Sequence, residues 1–168
     1  NNTNLIVGIN PGASYGSSKQ WVPDRFAQVA IQLSQKYDIV IFGGKNELNI
    51  SKEIEELLIK KGIENYKNLV GTTSITELIN NISSLDLFIT GDSGPMHIAA
   101  SFQIPTISIF GPTKDKETSQ WNNHNSVIVK RDLECQPCMK RICPLGHHNC
   151  MNQIKTNDIL KAVESLRL

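Results

Sequence analysis

A chain of 168 residues is long enough for one domain with a sizeable core and too short for two large ones. A net charge of +1 and an ordinary apolar content exclude a global nucleic-acid or acidic-membrane footprint. No apolar run nears the roughly 18 residues that cross a bilayer, and the polar first residues show no signal-peptide pattern. The chain starts without Met and enters its first strand almost at once. That start predicts a piece of a longer protein, with part of any active site elsewhere.

The predicted elements alternate. Leu5-Ile6-Val7-Gly8-Ile9 is a buried-strand run that Asn10-Pro11-Gly12 ends. A Gly/Ser-rich loop leads to Trp21, and Pro23 opens a helix whose inner face is Phe26, Val29, Ala30 and Leu33. Asp38-Ile39-Val40-Ile41-Phe42 is the second strand, closed by Gly43-Gly44. Ser51 is read as the cap of a helix with Ile54, Leu57 and Leu58 inward, stopped by Gly62. Asn68-Leu69-Val70 is a short third strand. Ser74 and Glu77 form an S-x-x-E capping box for a helix carrying Ile75, Leu78, Ile79 and Ile82. The fourth strand spans 85–90, a short helix 94–102, a fifth strand 105–110 and a sixth 126–130. Thr156 is read as the cap of a last helix with Ile159, Leu160, Val163 and Leu166 inward.

Near-continuous apolar strands alternating with amphipathic helices predict an α/β fold, a Rossmann-like parallel sheet with helices on both faces. Ligands of such sheets bind beyond the carboxyl ends of the strands. The loops starting at Asn10, Gly43, Val70, Thr90 and Gly111 lie there, and they hold the glycines and functional side chains.

Thr90-Gly91-Asp92-Ser93-Gly94-Pro95-Met96-His97 is the most informative stretch. A helix starting inside this turn offers unpaired N–H groups to a phosphate. Asp92, Ser93 and His97 add a carboxylate, a hydroxyl and an imidazole, a set that suits a sugar beside a diphosphate. A plain capped helix with His97 packed inside is the alternative. The loop 11–21 offers Ser14, Ser17 and Ser18 hydroxyls and the Lys19 charge, or reads as a solvated loop. Glu47, after the second strand, either takes a ribose hydroxyl pair or is solvated. Thr113 in Gly111-Pro112-Thr113-Lys114 either touches the ligand or sits in a simple turn.

All four cysteines fall in Cys135-x-x-Cys138-x4-Cys143-x6-Cys150, with His147 and His148 inside. A structural metal, disulfides or reduced thiols all remain open for this loop. Lys130, Arg131, Lys140 and Arg141 make a basic patch that could meet an anionic acceptor or simply face water.

Pro11-Gly12-Ala13 through Lys19-x-Trp21, Phe42-Gly43-Gly44, Asp92-Ser93-Gly94-Pro95-Met96-His97-Ile98-Ala99-Ala100 and Phe110-Gly111-Pro112-Thr113 occur in the order seen in glycosyltransferase family 9. Over nearly its whole length the chain resembles the C-terminal half of that family's bacterial ADP-heptose:lipopolysaccharide heptosyltransferases, in the type II form. The resemblance implies a GT-B enzyme with its active site between two Rossmann-like halves. On it, residues 1–168 are the nucleotide-sugar-binding domain, with the N-terminal acceptor domain absent and a cysteine-rich loop at 131–151. It implies ADP-heptose as donor, a lipopolysaccharide core acceptor, and inverting transfer without cofactor or catalytic metal. It also implies a cytoplasmic location, at the inner face of the inner membrane.

Carried over by residue, Lys19 and Asp92 are the catalytic candidates, at the diphosphate and the heptose hydroxyls. Ser14 and Tyr15 fall where phosphate-contacting hydroxyls lie, with Tyr15 a departure from the family's small residue. Glu47 falls near the ribose and Thr73 near the adenosine. Ser93, Gly94 and His97 match the diphosphate-binding turn. The catalytic base is expected outside this chain. A nucleotide-sugar epimerase of related fold and a non-catalytic module with a metal-clipped loop are the alternatives.

Overall fold

The computed structural model describes residues 4–12, 14–166 and 168. Ala13, part of the motif shared with the family, lies outside them. The strands are Leu5–Asn10 (β1), Tyr37–Ile41 (β2), Tyr66–Asn68 (β3), Leu87–Gly91 (β4), Thr106–Ile109 (β5) and Ser126–Val129 (β6). They form one six-stranded sheet in the order β3-β2-β1-β4-β5-β6, parallel at every pairing. The helices are Pro23–Leu33 (α1), Leu48–Lys60 (α2), Ile75–Ser83 (α3), Gly94–Ser101 (α4), Asp115–Thr118 (α5), Asn149–Asn152 (α6) and Thr156–Ser165 (α7).

Successive strand residues point to opposite faces, and here each face has a core. Val7, Ile9, Ile39, Ile41, Leu87 and Ile89 pack with the inner faces of α1, α2 and α7. Ile6, Val40 and Phe88 pack on the other side, against Ile82, Ala99 and Ile104 of the α3–α4 layer. Burial on both faces explains why the strands are apolar throughout instead of alternating. The expected fold class is therefore the observed one.

Several local expectations shift. The third strand is Tyr66–Asn68, two residues earlier than expected, because Tyr66 pairs with Ile39 and Asn68 with Ile41. The second and fourth strands also slide by one or two residues. Ser51 does not cap α2: the helix already starts at Leu48, and the buried Ser51 hydroxyl donates to the Leu48 carbonyl (3.0 Å). Thr156 is the first residue of α7, not its cap. Its hydroxyl donates to Gln28 Oε1 (2.7 Å), and the Asp158 carboxylate accepts the Lys155 N–H (2.7 Å) instead. The Ser74–Glu77 capping box forms as expected.

The strand order turns at β1 and β4. From β1 the chain winds outward to β3, and from β4 it winds outward to β6. Connections after these two central strands leave in opposite directions and open a crevice at their carboxyl ends. Asn10 and Thr90, the last residues of β1 and near the last of β4, are register partners there.

Candidate active site

The loop after β1 and the loop after β4 meet in this crevice. Lys19 Nζ donates to Asp92 Oδ2 (2.6 Å), joining residues 73 apart in sequence. The pair is 12% and 7% exposed. The same carboxylate oxygen accepts the Thr113 hydroxyl (2.7 Å), so the turn after β5 orients Asp92. Thr113 is thus a buried support of Asp92, beyond a simple turn residue.

Ser93 stands at the N-cap position of α4 with extended backbone, as expected. Its hydroxyl does not cap the helix. It accepts from Asn10 Nδ2 (3.0 Å) and lies 3.1 Å from Thr90 Oγ1, so Asn10 ties the two central loops together. No side chain caps the start of α4, where Pro95 has no N–H and the Met96 N–H donates to the Ser93 carbonyl (3.2 Å).

Two neighbouring cavities open here, each of about 350 Å³. Lys19, Asp92, Ser93, Gly94, His97 and Thr113 line one. His97 is exposed on α4 instead of packed inside. The lysine and the histidine therefore share a cavity. Glu47 and Thr73 line the other cavity, beside Asn10, Ile75, Leu78 and Pro95. Ser14 and Ser93 border both. Glu47 Oε2 accepts the Gly44 N–H (2.7 Å), which fixes the side chain over the glycine turn. A Cβ on Gly12 would lie 2.3 Å from Glu47 Cγ, so glycine there lets the acid approach.

The chain matches glycosyltransferase family 9 (heptosyltransferase) over residues 2–149. It belongs to that family. It is 47% identical over 166 residues to the lipooligosaccharide heptosyltransferase 2 of Campylobacter jejuni, covering 98% of this chain and 52% of that protein. The chain thus spans about half the length of the curated relatives it matches. A family 9 glycosyl transferase structure from Veillonella parvula superposes with a TM-score of 0.81 at 26% identity, over 96% of this chain and 45% of the other. The Escherichia coli ADP-heptose lps heptosyltransferase II shares the fold, with a TM-score of 0.82 at 24% identity over 98% and 47%.

In this family 9 chain the residues that sequence reasoning missed are Asn10, Ile75, Leu78 and Pro95. Ile75 and Leu78, which the sequence places on the third predicted long helix with no site role, wall the Glu47 cavity. Asn10 carried a signal: a polar residue closing an apolar strand at the ligand-binding end.

Two proposed hydroxyls turn out to be engaged elsewhere. Tyr15 Oη donates to the Met139 carbonyl (2.8 Å), while its ring lies 4.6 Å from Lys19 Nζ. Tyr15 still lines the Lys19 cavity, and there its ring offers a face to the Lys19 cation. The Ser18 hydroxyl, grouped with Ser14 and Ser17 as a ligand contact, donates to the Lys140 carbonyl (2.6 Å). Both partners belong to the cysteine-rich loop. Ser18 N–H also donates to the Arg141 carbonyl (3.1 Å), and His148 Nε2 donates to the Ser18 carbonyl (2.7 Å). The cysteine-rich loop therefore clamps the segment that presents Lys19.

All four cysteines are free thiols. N–H groups from His148 and its neighbours hold the Cys143 thiol below its usual range. Burial, followed by the nearby Cys138, Cys143 and Cys135 charges, pushes Cys150 up to about 11. The flanking basic patch is partly neutralised, since Lys130 pairs with Asp115 and Arg131 with Asp158. Lys140 and Arg141 stay exposed.

Proposed function

We propose that this chain is the donor-binding half of a heptosyltransferase, holding ADP-heptose for inverting transfer to the lipopolysaccharide inner core. One observation carries the reading. The Lys19 ammonium, Asp92, the start of α4 and His97 share one cavity at the sheet's switch point, next to a second cavity with an acid and an apolar wall. The nucleoside fits the second cavity, with Ile75 and Leu78 against the base and Glu47 at the ribose. Thr73 stands beside the base. The diphosphate spans the shared Ser14–Ser93 border, and the heptose lies against Asp92.

An acceptor hydroxyl then attacks the anomeric carbon from the face opposite the departing ADP. Negative charge grows on the diphosphate as that bond breaks. Lys19 and the N–H groups of Ser93 and Gly94 sit where it develops, and positioned donors of this kind are worth about 3 kcal/mol of barrier each. Asp92 orients the sugar and offsets positive character at its ring. The base that takes the acceptor proton comes from the other half of the enzyme, which also holds the lipid-linked acceptor. On this reading the enzyme works in the cytoplasm at the inner face of the inner membrane. No helix of the described residues is long and apolar enough to cross a membrane.

Calorimetry with ADP tests the site. Lys19→Ala is expected to weaken binding at least tenfold, about 1.4 kcal/mol; equal affinity in both proteins removes Lys19 from the site. An epimerase would need its own acid/base pair at the sugar and no acceptor. Acceptor-independent change of an ADP-sugar by this chain would decide for it.

A further inference from the structure

Between Val129 and Asn149 the chain runs without helix or strand. Irregular stretches beyond about 15 residues are uncommon in compact folds unless something ties them down. Apolar packing does so here only near the start of the stretch, at Leu133, because Met139, Ile142 and Leu145 are exposed. The cysteines turn inward instead. Cys135, Cys138 and Cys143 are half-buried and Cys150 is buried. All four line one cavity of about 20 Å³, room for a single water-sized particle.

The local geometry favours a thiolate at Cys143. Gly146 takes a left-handed φ of 71° and its N–H donates to the Cys143 carbonyl (3.2 Å). This turn aims the following N–H groups at the sulfur, and His148 N–H donates to Cys143 Sγ (3.4 Å). Thiolate is the form that binds a metal. Cys-x-x-Cys supplies two ligands from one short turn, and four thiolates complete a tetrahedral shell. The histidines are engaged otherwise: His148 Nε2 holds the Ser18 carbonyl, and His147 Nδ1 accepts the Asn149 N–H (3.0 Å).

We propose that Cys135, Cys138, Cys143 and Cys150 bind one thiophilic divalent cation of the zinc type, and that this ion staples the clamp that sets the Lys19 segment. Sulfur ligands select such a cation over magnesium or calcium. The four sulfurs must draw closer together to coordinate, because no three His, Cys, Asp or Glu side chains of the described residues already stand in a metal-holding arrangement. The route to Lys19 is short. The backbone carbonyls of Met139, Lys140 and Arg141, between the second and third cysteines, hold Tyr15 and Ser18. A Cβ on Gly16 would lie 2.4 Å from the Arg141 carbonyl, so the two segments are in contact.

The ion is structural and stands apart from the donor reading, so its test uses no nucleotide. The chain, purified under reducing conditions without chelator, is analysed for metal and titrated with cobalt. A single equivalent of zinc is expected, as are the visible bands and sulfur-to-cobalt charge transfer of a tetrathiolate centre. Cys143→Ser should lose most of that charge transfer. A native chain with no metal, no cobalt bands and four titratable thiols overturns the site, as does a mass that shows disulfides. Amide resonances of Tyr15, Ser18 and Lys19 should shift on chelation and return with added zinc. Resonances that stay put while the metal leaves overturn the staple.

Discussion

Lys19 and Asp92 neutralise each other across the crevice, and Thr113 holds the carboxylate in place. Without ligand, neither charge of this buried pair is left uncompensated, a situation that would otherwise cost several kcal/mol. A diphosphate at Lys19 must compete with Asp92 for the ammonium, while a sugar hydroxyl can take the carboxylate's vacated position. Thr113→Val, which keeps the shape and removes the donor, should lower stability by about 1 kcal/mol. It should also weaken ADP-sugar binding more than ADP binding; equal losses would separate Asp92 from the sugar. The residue types of this site were legible in the sequence, because a glycine turn rich in functional groups after a buried strand has few structural uses. The ion pair itself was not. Its partners lie 73 positions apart, and periodicity carries no information on which distant loops touch.

Among the elements, α3 shows how a local signal can be read directly. Ser-x-x-Glu at 74–77 specified the helix start, and the capping box is present. The Ser74 N–H and hydroxyl hold the Glu77 carboxyl below its usual range. A depressed acid stabilises the fold above its unfolded value and loses that contribution as pH falls through the folded one. Unfolding midpoints should thus drop on acidification through the carboxylate range, and Glu77→Gln should flatten that part of the profile. An unchanged profile would mean that the box frays in solution. Elsewhere the same logic failed at Ser51 and Thr156. Both residue types cap helices, but the ladder of α2 begins earlier, and a backbone–carboxylate bond already serves α7. The clamp between the cysteine-rich loop and the Lys19 segment was illegible for another reason. It is made largely of backbone carbonyls, which every residue has. Gly16→Ala should test it, since φ of 154° and the close Arg141 carbonyl both disfavour a side chain. The expected result is a lower melting temperature together with faster amide exchange at Ser18.

For the whole molecule, a three-two-one-four-five-six sheet fixes where a ligand can bind before any side chain is considered. That architecture was readable from the alternation of apolar runs and amphipathic helices. Strand ends were not, because they depend on a neighbour's register. The chain spans about half the length of its relatives, and on the proposed reading it supplies one wall of the cleft. It should therefore bind ADP weakly and transfer no heptose alone. Turnover by this chain unaided would place the base among its own residues.

The two indoles have a practical consequence. Trp21 is 2% exposed, edge-on to Phe26 and donating to the Ile154 carbonyl (3.0 Å), two residues beyond Lys19. Trp121 is 85% exposed. Their emission should separate into a blue component from the apolar interior and a red, iodide-quenchable one from water. Replacing Trp121 with Phe leaves a single tryptophan beside the lysine loop, an intrinsic optical gauge of what happens in the crevice.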